Sequence, residues 1–181
     1  MRYHQTIVLK NGQEALLRNG DAADGAAVYE VFSLTHAETD FLLSYPDENT
    51  LDPEQESRFL EEKTKSPNEI EVIAVTDGRV VGTAGIWAVG KQYKVRHRAE
   101  FGISVLKDYW GLGLGRALTA ACIQCAREAG YAQLELTAVA ENQSALSLYR
   151  SLGFEAFGRN PKGFRSRTGR YQELIHMLLE L

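Results

Sequence analysis

The pattern of hydrophobic and polar residues divides the chain into short strands and amphipathic helices. Runs rich in β-branched residues and bounded by turn residues predict the strands. Two of the boundaries, Asn11-Gly12 and Asp77-Gly78, are dipeptides that favour tight hairpins. The predicted strands are residues 15–18, 70–75, 80–89, 98–105, 134–139, 154–159 and 171–179, and residues 7–9 are a candidate hairpin partner of the first.

Capping residues mark the start of the first two helices. Asp21 is the expected N-cap of a helix that continues to about Phe32. Asp52 and Gln55 form a capping box, and the helix that they begin runs to about Lys65. Both helices precede the predicted strand at residues 70–75.

The strongest helical periodicity lies between Gly113 and Ala129. Because both cysteines of the chain lie on its apolar stripe, we interpret them as small core residues and not as a redox or zinc motif. A fourth helix spans about Asn142 to Leu152 and ends at Gly153, its expected C-cap. The stripe of the third helix consists of Leu114, Ala117, Leu118, Ala121, Cys122 and Cys125.

The order of these elements predicts an α/β fold. Strands joined by hairpins come first and strand–helix–strand units follow, which indicates a mixed sheet. A length of 181 residues suits one domain with its own hydrophobic core. We therefore predict a single domain over residues 1–181, with a largely antiparallel sheet of six to seven strands flanked by about four helices.

Composition and charge narrow the classes of function. The chain has 20 Lys and Arg against 24 Asp and Glu, and a net charge of −4 argues against nonspecific binding to nucleic acid. No apolar run approaches the roughly 18 residues that span a bilayer, and no signal-peptide pattern is present. The four histidines lack the spacing of a zinc site. We expect a cytoplasmic protein without a metal or a membrane partner.

The segment that indicates chemistry is the loop from Trp110 to Arg116, in which three glycines alternate with other residues. It follows a predicted strand and begins the third helix. Glycine lets the backbone turn sharply and approach a ligand, and the free N–H groups of a helix N-terminus attract anions. The loop is therefore predicted to hold a phosphate or pyrophosphate. The alternative is a glycine-rich turn that only packs.

Two common phosphate-binding motifs do not fit this loop. The dinucleotide fingerprint G-x-G-x-x-G requires glycine at its sixth position, which is Arg116 counted from Gly111 and Leu118 counted from Gly113. A P-loop ends in Gly-Lys-Ser or Gly-Lys-Thr, and neither sequence is present. The usual nucleotide-binding folds are thus disfavoured.

The loop instead resembles the acetyl-CoA motif of the GNAT N-acetyltransferase superfamily, in which [QR]-x-x-G-x-[GA] begins a helix. Gly113 and Gly115 occupy the two small positions, whereas Trp110 replaces the usual Gln or Arg. Residues 99–105 resemble the family's fourth strand, whose backbone pairs with the pantetheine arm. Residues 142–154 are similar to its second motif. The resemblance covers about residues 70–181.

This resemblance implies direct transfer of acetyl from acetyl-CoA, the co-substrate, to an amine. It assigns Tyr149 as the general acid beside the CoA sulfur and Glu100 as the base, directly or through a water. A core role for Tyr149, an ion pair of Glu100 with Arg96 or Arg98, and a purely capping role for Asn142 are the alternatives. The cofactor-binding residues that it implies are Ile103, Ser104, Val105, Gly111, Leu112, Gly113, Leu114, Gly115, Arg116 and Asn142.

The resemblance also implies that the acceptor site is built from Ser33–Thr50 and Arg159–Arg170. The first segment is acidic and suits a cationic amine, whereas the second is basic and suits an anionic group. A small-molecule amine is the expected acceptor, and a homodimer is typical of small enzymes of this family. A protein amino group as acceptor and a CoA-binding module without catalysis are the alternatives.

Overall fold

The computed structural model describes all 181 residues, and eight strands form one sheet. The strands are β1 (His4–Val8), β2 (Glu14–Asn19), β3 (Ile70–Thr76), β4 (Arg79–Ala88), β5 (Arg98–Val105), β6 (Gln133–Val139), β7 (Glu155–Arg165) and β8 (Tyr171–Glu180). Their spatial order is β1-β2-β3-β4-β5-β6-β8-β7. All neighbours are antiparallel except β5 and β6, which are parallel. The predicted mixed α/β sheet is confirmed, with more strands than expected.

Four helices cover the two faces of this sheet. They are α1 (Gly25–Glu38), α2 (Pro53–Lys65), α3 (Leu114–Glu128) and α4 (Gln143–Ser151). The main hydrophobic cluster joins α3 and α4 to one face. A smaller cluster joins α1 and α2 to the other, and it contains Val28, Val31, Leu60, Ile73 and Val80. None of the four combines the length and apolar character that a membrane crossing requires.

The third helix confirms the predicted apolar stripe. Leu114, Leu118, Cys122 and Cys125 are completely buried, and Ala121 is 1% exposed. Both cysteines are free thiols, and burial raises the pKa of Cys125 to about 11. A thiol with so high a pKa stays protonated, which fits a packing role. The cysteines are core residues, as predicted.

The first helix differs from its predicted limits at both ends. Asp21 caps a short 3₁₀ turn, Ala22–Asp24, and α1 begins only at Gly25. The helix then continues past Phe32 to Glu38. Thr35 lies on its buried side, so the turn beyond Phe32 is held by packing that local sequence does not reveal.

The seventh strand also extends beyond its prediction. β7 continues from Arg159 to Arg165 and pairs with β8 there, for instance Phe164 with Gln172. The register is irregular between Asn160 and Phe164. Polar residues predicted a loop here, but β7 is an edge strand, where exposed polar side chains are expected.

The feature that creates the site is the separation of β5 from β6. The two strands pair only from Arg98 opposite Gln133 to Glu100 opposite Glu135. The Arg98 guanidinium forms a two-pronged ion pair with the Glu135 carboxylate, diagonally across this paired segment. Beyond this point the strands diverge and leave a wedge-shaped opening in the sheet.

A half-buried carboxylate on β3, near the middle of the sheet, makes the stability of the fold depend on pH. Glu71 on β3 lies opposite Gly85 on β4, where any side chain would collide with the carboxylate. Burial, with a smaller contribution from the charge of Glu56 on α2, raises the pKa of Glu71 from 4.5 to about 7. Its protonated form therefore stabilises the fold, fully below about pH 4.5 and progressively less as the pH rises through about 7.

We predict that Glu71→Gln gains stability relative to the parent protein as the pH rises. The amide resembles the protonated carboxyl and carries no charge to bury. The difference in free energy of unfolding between variant and parent should therefore grow by about 3 kcal/mol between about pH 4.5 and about pH 8. Urea unfolding at several pH values measures it, and Glu155→Gln on exposed β7 controls for the lost charge. A difference independent of pH would contradict this account.

Candidate active site

An open cleft of about 1290 Å³ brings the predicted site segments together. It lies where β5 and β6 separate. The end of β5, the glycine loop (Trp110–Arg116), the start of α4 and facing parts of β6 and β8 line it, together with residues 41–43 after α1. The cleft therefore connects a helix N-terminus with the open part of the sheet.

The glycine loop presents six consecutive amide N–H groups without a protein partner. Gly111 and Gly113 have φ angles of 73° and 94°, in the left-handed region that favours glycine. The first backbone hydrogen bond into α3 runs from the Ala117 N–H to the Gly113 carbonyl, so the amides from Gly111 to Arg116 are free. Free donors at the positive end of a helix form an anion-binding site.

Two hydrogen bonds hold this loop in place. The indole N–H of Trp110 donates to the Val105 carbonyl at 2.7 Å, which joins the loop to the end of β5. The backbone N–H of Lys10, in the β1–β2 turn, donates to the Leu112 carbonyl at 3.0 Å. The tryptophan that departs from the family motif thus has a structural role in the loop.

The end of β5 lines the same cleft. Ile103, Ser104 and Val105 all border it, and their strand pairs with β4 along one edge only. The edge that faces β6 has no strand partner beyond Glu100. Unpaired backbone groups at such an edge can bond an extended ligand.

Tyr149 lies at the apex of the opening, on α4. Its ring packs edge-on against Phe101, with centroids 6.2 Å apart, and against Phe154 at 5.9 Å. The residue is 7% exposed, and burial raises its pKa to about 12. The residue lines the cleft. Tyr149 is thus both a core residue and a neutral donor at the cleft.

Glu100 lies in the cleft without an ion pair. The indole N–H of Trp87 donates to one of its carboxylate oxygens at 2.8 Å. The two arginines that were candidate ion-pair partners of Glu100 have other contacts. Arg98 pairs with Glu135, and Arg96 stacks on Tyr93 at 4.3 Å. One oxygen of Glu100 therefore remains free of protein partners.

Two polar residues beside the loop combine local bonds with a place in the cleft. The Asn142 side chain accepts from the Ala145 N–H at 3.2 Å and so caps α4. The Arg116 guanidinium donates to the Ser151 hydroxyl at 2.7 Å. Both Asn142 and Arg116 line the cleft.

Most of the predicted site residues therefore come together. Leu114 is completely buried in the core, and Leu112 packs against the core and accepts a bond from the Lys10 backbone. These two do not line the cleft and contribute only backbone amides to the loop. The predicted residues that line it are Glu100, Ile103, Ser104, Val105, Gly111, Gly113, Gly115, Arg116, Asn142 and Tyr149.

The end of the cleft beside the predicted acceptor segments is lined mainly by apolar and aromatic residues. Two acidic residues of the first segment are bonded to backbone groups: Glu38 accepts from the Lys107 N–H and Glu48 from the Tyr45 N–H. Phe41, Leu42, Leu43 and Phe164, which also line the cleft, belong to the two predicted acceptor segments. Lining residues that no predicted site segment contains include Lys10, Trp87, Thr137, Phe157, Leu174 and His176.

The loop after α1 is attached to the β7–β8 hairpin. The Arg167 guanidinium bonds the Asp47 carboxylate at 2.7 and 2.8 Å and stacks on the Tyr45 ring at 4.1 Å. The Gln172 amide donates to the Asp40 carbonyl at 3.2 Å. These contacts bring the two predicted acceptor segments together at one end of the cleft.

Comparison with known proteins agrees with this geometry. A sequence model of the acetyltransferase (GNAT) family matches residues 32–154, more than half of the chain. The L-amino acid N-acyltransferase MnaT of Escherichia coli (strain K12) is 29% identical over 167 residues, and the match covers 91% of this chain and 93% of MnaT.

Solved structures share the fold along nearly the whole chain. An acetyltransferase of the GNAT family from Streptococcus pneumoniae has a TM-score of 0.88 and 29% identity, with 92% of this chain and 99% of that one covered. YncA of Salmonella typhimurium, solved with its cofactor acetyl-CoA, has a TM-score of 0.82 and 24% identity, with 92% and 94% covered. The chain therefore belongs to the GNAT acetyltransferase family and is an acetyl-CoA-dependent N-acetyltransferase.

Proposed function

We propose that this enzyme acetylates the primary amine of a small molecule, with amino acids as the first class of acceptor. The observation that carries the proposal is one continuous cleft that contains the glycine loop, Tyr149 and Glu100. Acetyl transfer to an amine needs an anchored thioester, a proton acceptor and a proton donor in one place. This cleft supplies a candidate for each.

In this proposal the six free amides of the glycine loop hold the pyrophosphate of acetyl-CoA. The free edge of β5, from Ile103 to Val105, offers backbone groups to the amides of the pantetheine arm. The amide nitrogen of Asn142 makes no bond within the protein and suits the same arm. Arg116 adds positive charge at the phosphate end.

Glu100 is the proposed proton acceptor, directly or through a water. A lysine-like amine with a pKa of about 10.4 is mostly protonated at pH 7, which withholds the nucleophile by about 4–5 kcal/mol. The Trp87 indole N–H orients one carboxylate oxygen of Glu100, and the other is free in the cleft. A carboxylate held in this way receives the amine proton as the nitrogen attacks.

Tyr149 is the proposed proton donor to the departing sulfur. Its pKa of about 12 keeps the phenol protonated throughout the neutral range. The thiolate would leave within the same buried part of the cleft, where desolvation raises the pKa of the thiol as well. A hydrogen bond from the Tyr149 hydroxyl would stabilise the negative charge as it develops on sulfur.

Several observations support a small acceptor. The acceptor end of the cleft is walled by the loop after α1, which Arg167 and Gln172 attach to the β7–β8 hairpin. A peptide would need more open space at this end than a free amine does. MnaT, whose name assigns it L-amino acids, matches along most of both chains. The alternatives are a protein amino group and a CoA-binding module without turnover.

We predict that the enzyme releases CoA thiol from acetyl-CoA in the presence of small primary amines, L-amino acids included. Release of free thiol is measured with a panel of amino acids and simple amines. The N-acetylated form of each compound is the matched control and should give none, because its nitrogen is no longer nucleophilic. Turnover confined to peptides would favour a protein acceptor. Binding of acetyl-CoA without turnover of any amine would indicate a CoA-binding module without catalysis.

We also predict that the two proposed proton-transfer residues affect the pH profile differently. Tyr149→Phe should keep the affinity for acetyl-CoA and lower kcat at least about tenfold, with the shape of the profile unchanged over the neutral range. Glu100→Gln should lower kcat/KM and alter the acidic limb of the profile. Each variant serves as the control for the other.

The roles proposed for Tyr149 and Glu100 are tested independently of each other. A kcat unchanged in Tyr149→Phe would remove the role of the phenol. An activity–pH profile unaltered in Glu100→Gln would remove that of the carboxylate. Neither result would affect the proposed cofactor site.

A further inference from the structure

We propose that Lys10, in the turn between β1 and β2, binds the 3′-phosphate of the cofactor and makes the enzyme select it over its 3′-dephospho form. This inference rests on the proposed binding of acetyl-CoA in the cleft. Lys10 lies in the N-terminal β1–β2 hairpin. This hairpin precedes residues 32–154, the part of the chain that the family model matches. Lys10 lines the cleft.

The turn that carries Lys10 is fixed against the glycine loop. Its own backbone N–H donates to the Leu112 carbonyl at 3.0 Å. The preceding residue, Leu9, is 3% exposed in the main core, and the Gln13 amide donates to the Asp77 carboxylate at 2.7 Å. Because three contacts anchor the turn, the backbone of Lys10 is held beside the six free amides.

The charge of Lys10 is not neutralised within the protein. Lys10 and Arg116 are the two Lys or Arg residues that line the cleft. The Arg116 guanidinium already bonds the Ser151 hydroxyl, whereas Lys10 takes part in no salt bridge. A free ammonium beside an anion site favours a second anion, because it is a compact charge that binds phosphate well.

The chemical structure of acetyl-CoA identifies the second anion that Lys10 would bind. Acetyl-CoA carries a pyrophosphate, which matches the free amides, and a separate phosphate on the ribose of its adenosine. Tyr149 is on α4, which follows β6, whereas Lys10 comes from the β1 edge of the sheet. With the thioester directed toward Tyr149, an adenosine that leaves the loop on the opposite side would lie beside Lys10.

The test compares KM for acetyl-CoA and for 3′-dephospho-acetyl-CoA in the parent and in Lys10→Gln. We expect Lys10→Gln to raise KM for acetyl-CoA about tenfold, the effect of losing one charged hydrogen bond, with kcat little changed. KM for the dephospho cofactor should stay the same. Lys107→Gln, an equal charge change on an exposed residue that does not line the cleft, is the matched control and should leave both values unchanged.

Two outcomes would overturn the assignment. An equal rise of KM for both cofactors would mean that Lys10 acts on the pyrophosphate or on the loop itself. No rise for either would mean that Lys10 does not contact the cofactor. Failure of the proposed function is separate, because the parent enzyme would then turn over neither form of the cofactor.

Discussion

The separation of two parallel strands is the constraint on which the rest of this structure depends. β5 and β6 pair over three residues and then diverge, and the ion pair of Arg98 with Glu135 joins them within that paired segment. Phe101, the next residue along β5, packs its ring against Tyr149 and Phe154. The three rings pack together in the main hydrophobic cluster beside the point where the ladder ends.

This opening gives the fold a feature that a closed sheet lacks. Backbone groups along the inner edge of β5 are left without strand partners, and buried unpaired groups of this kind require hydrogen bonds from elsewhere. The same strand leads into a loop whose amides are also free. An extended ligand with amides along its length and phosphates at one end satisfies both sets of groups. The site is therefore made largely of backbone, which explains why its sequence signature is a pattern of glycines.

Much of the fold could be predicted from the sequence because it follows from local rules. The capping box at Asp52, the stripe on α3 and the hairpin at Asp77-Gly78 each depend on residues a few positions apart. The limits of α1 and β7 were wrong because they depend on tertiary packing and on the position of β7 at the sheet edge.

The candidate site could be predicted in part. Alternating glycines revealed the loop, and the resemblance pointed to Tyr149 and Glu100 as proton-transfer residues. Lys10 was beyond reach, because its place beside Leu112 depends on a contact between residues about a hundred positions apart. The contacts of the acidic residues in the predicted acceptor segment were out of reach for a related reason. Acidic residues that suggested an amine site instead cap turns or pair with Arg167, and no local pattern distinguishes these uses.

Thermal unfolding with and without acetyl-CoA, beside NAD and ATP as controls, tests the central claim most directly. The claim is that the glycine loop and the open sheet together recognise acetyl-CoA. A ligand at about 100 times its Kd adds about 2.7 kcal/mol to the free energy of unfolding, which is a readily measured rise in Tm. The account predicts this rise with acetyl-CoA alone. No rise with acetyl-CoA, or a larger one with either nucleotide, would contradict it.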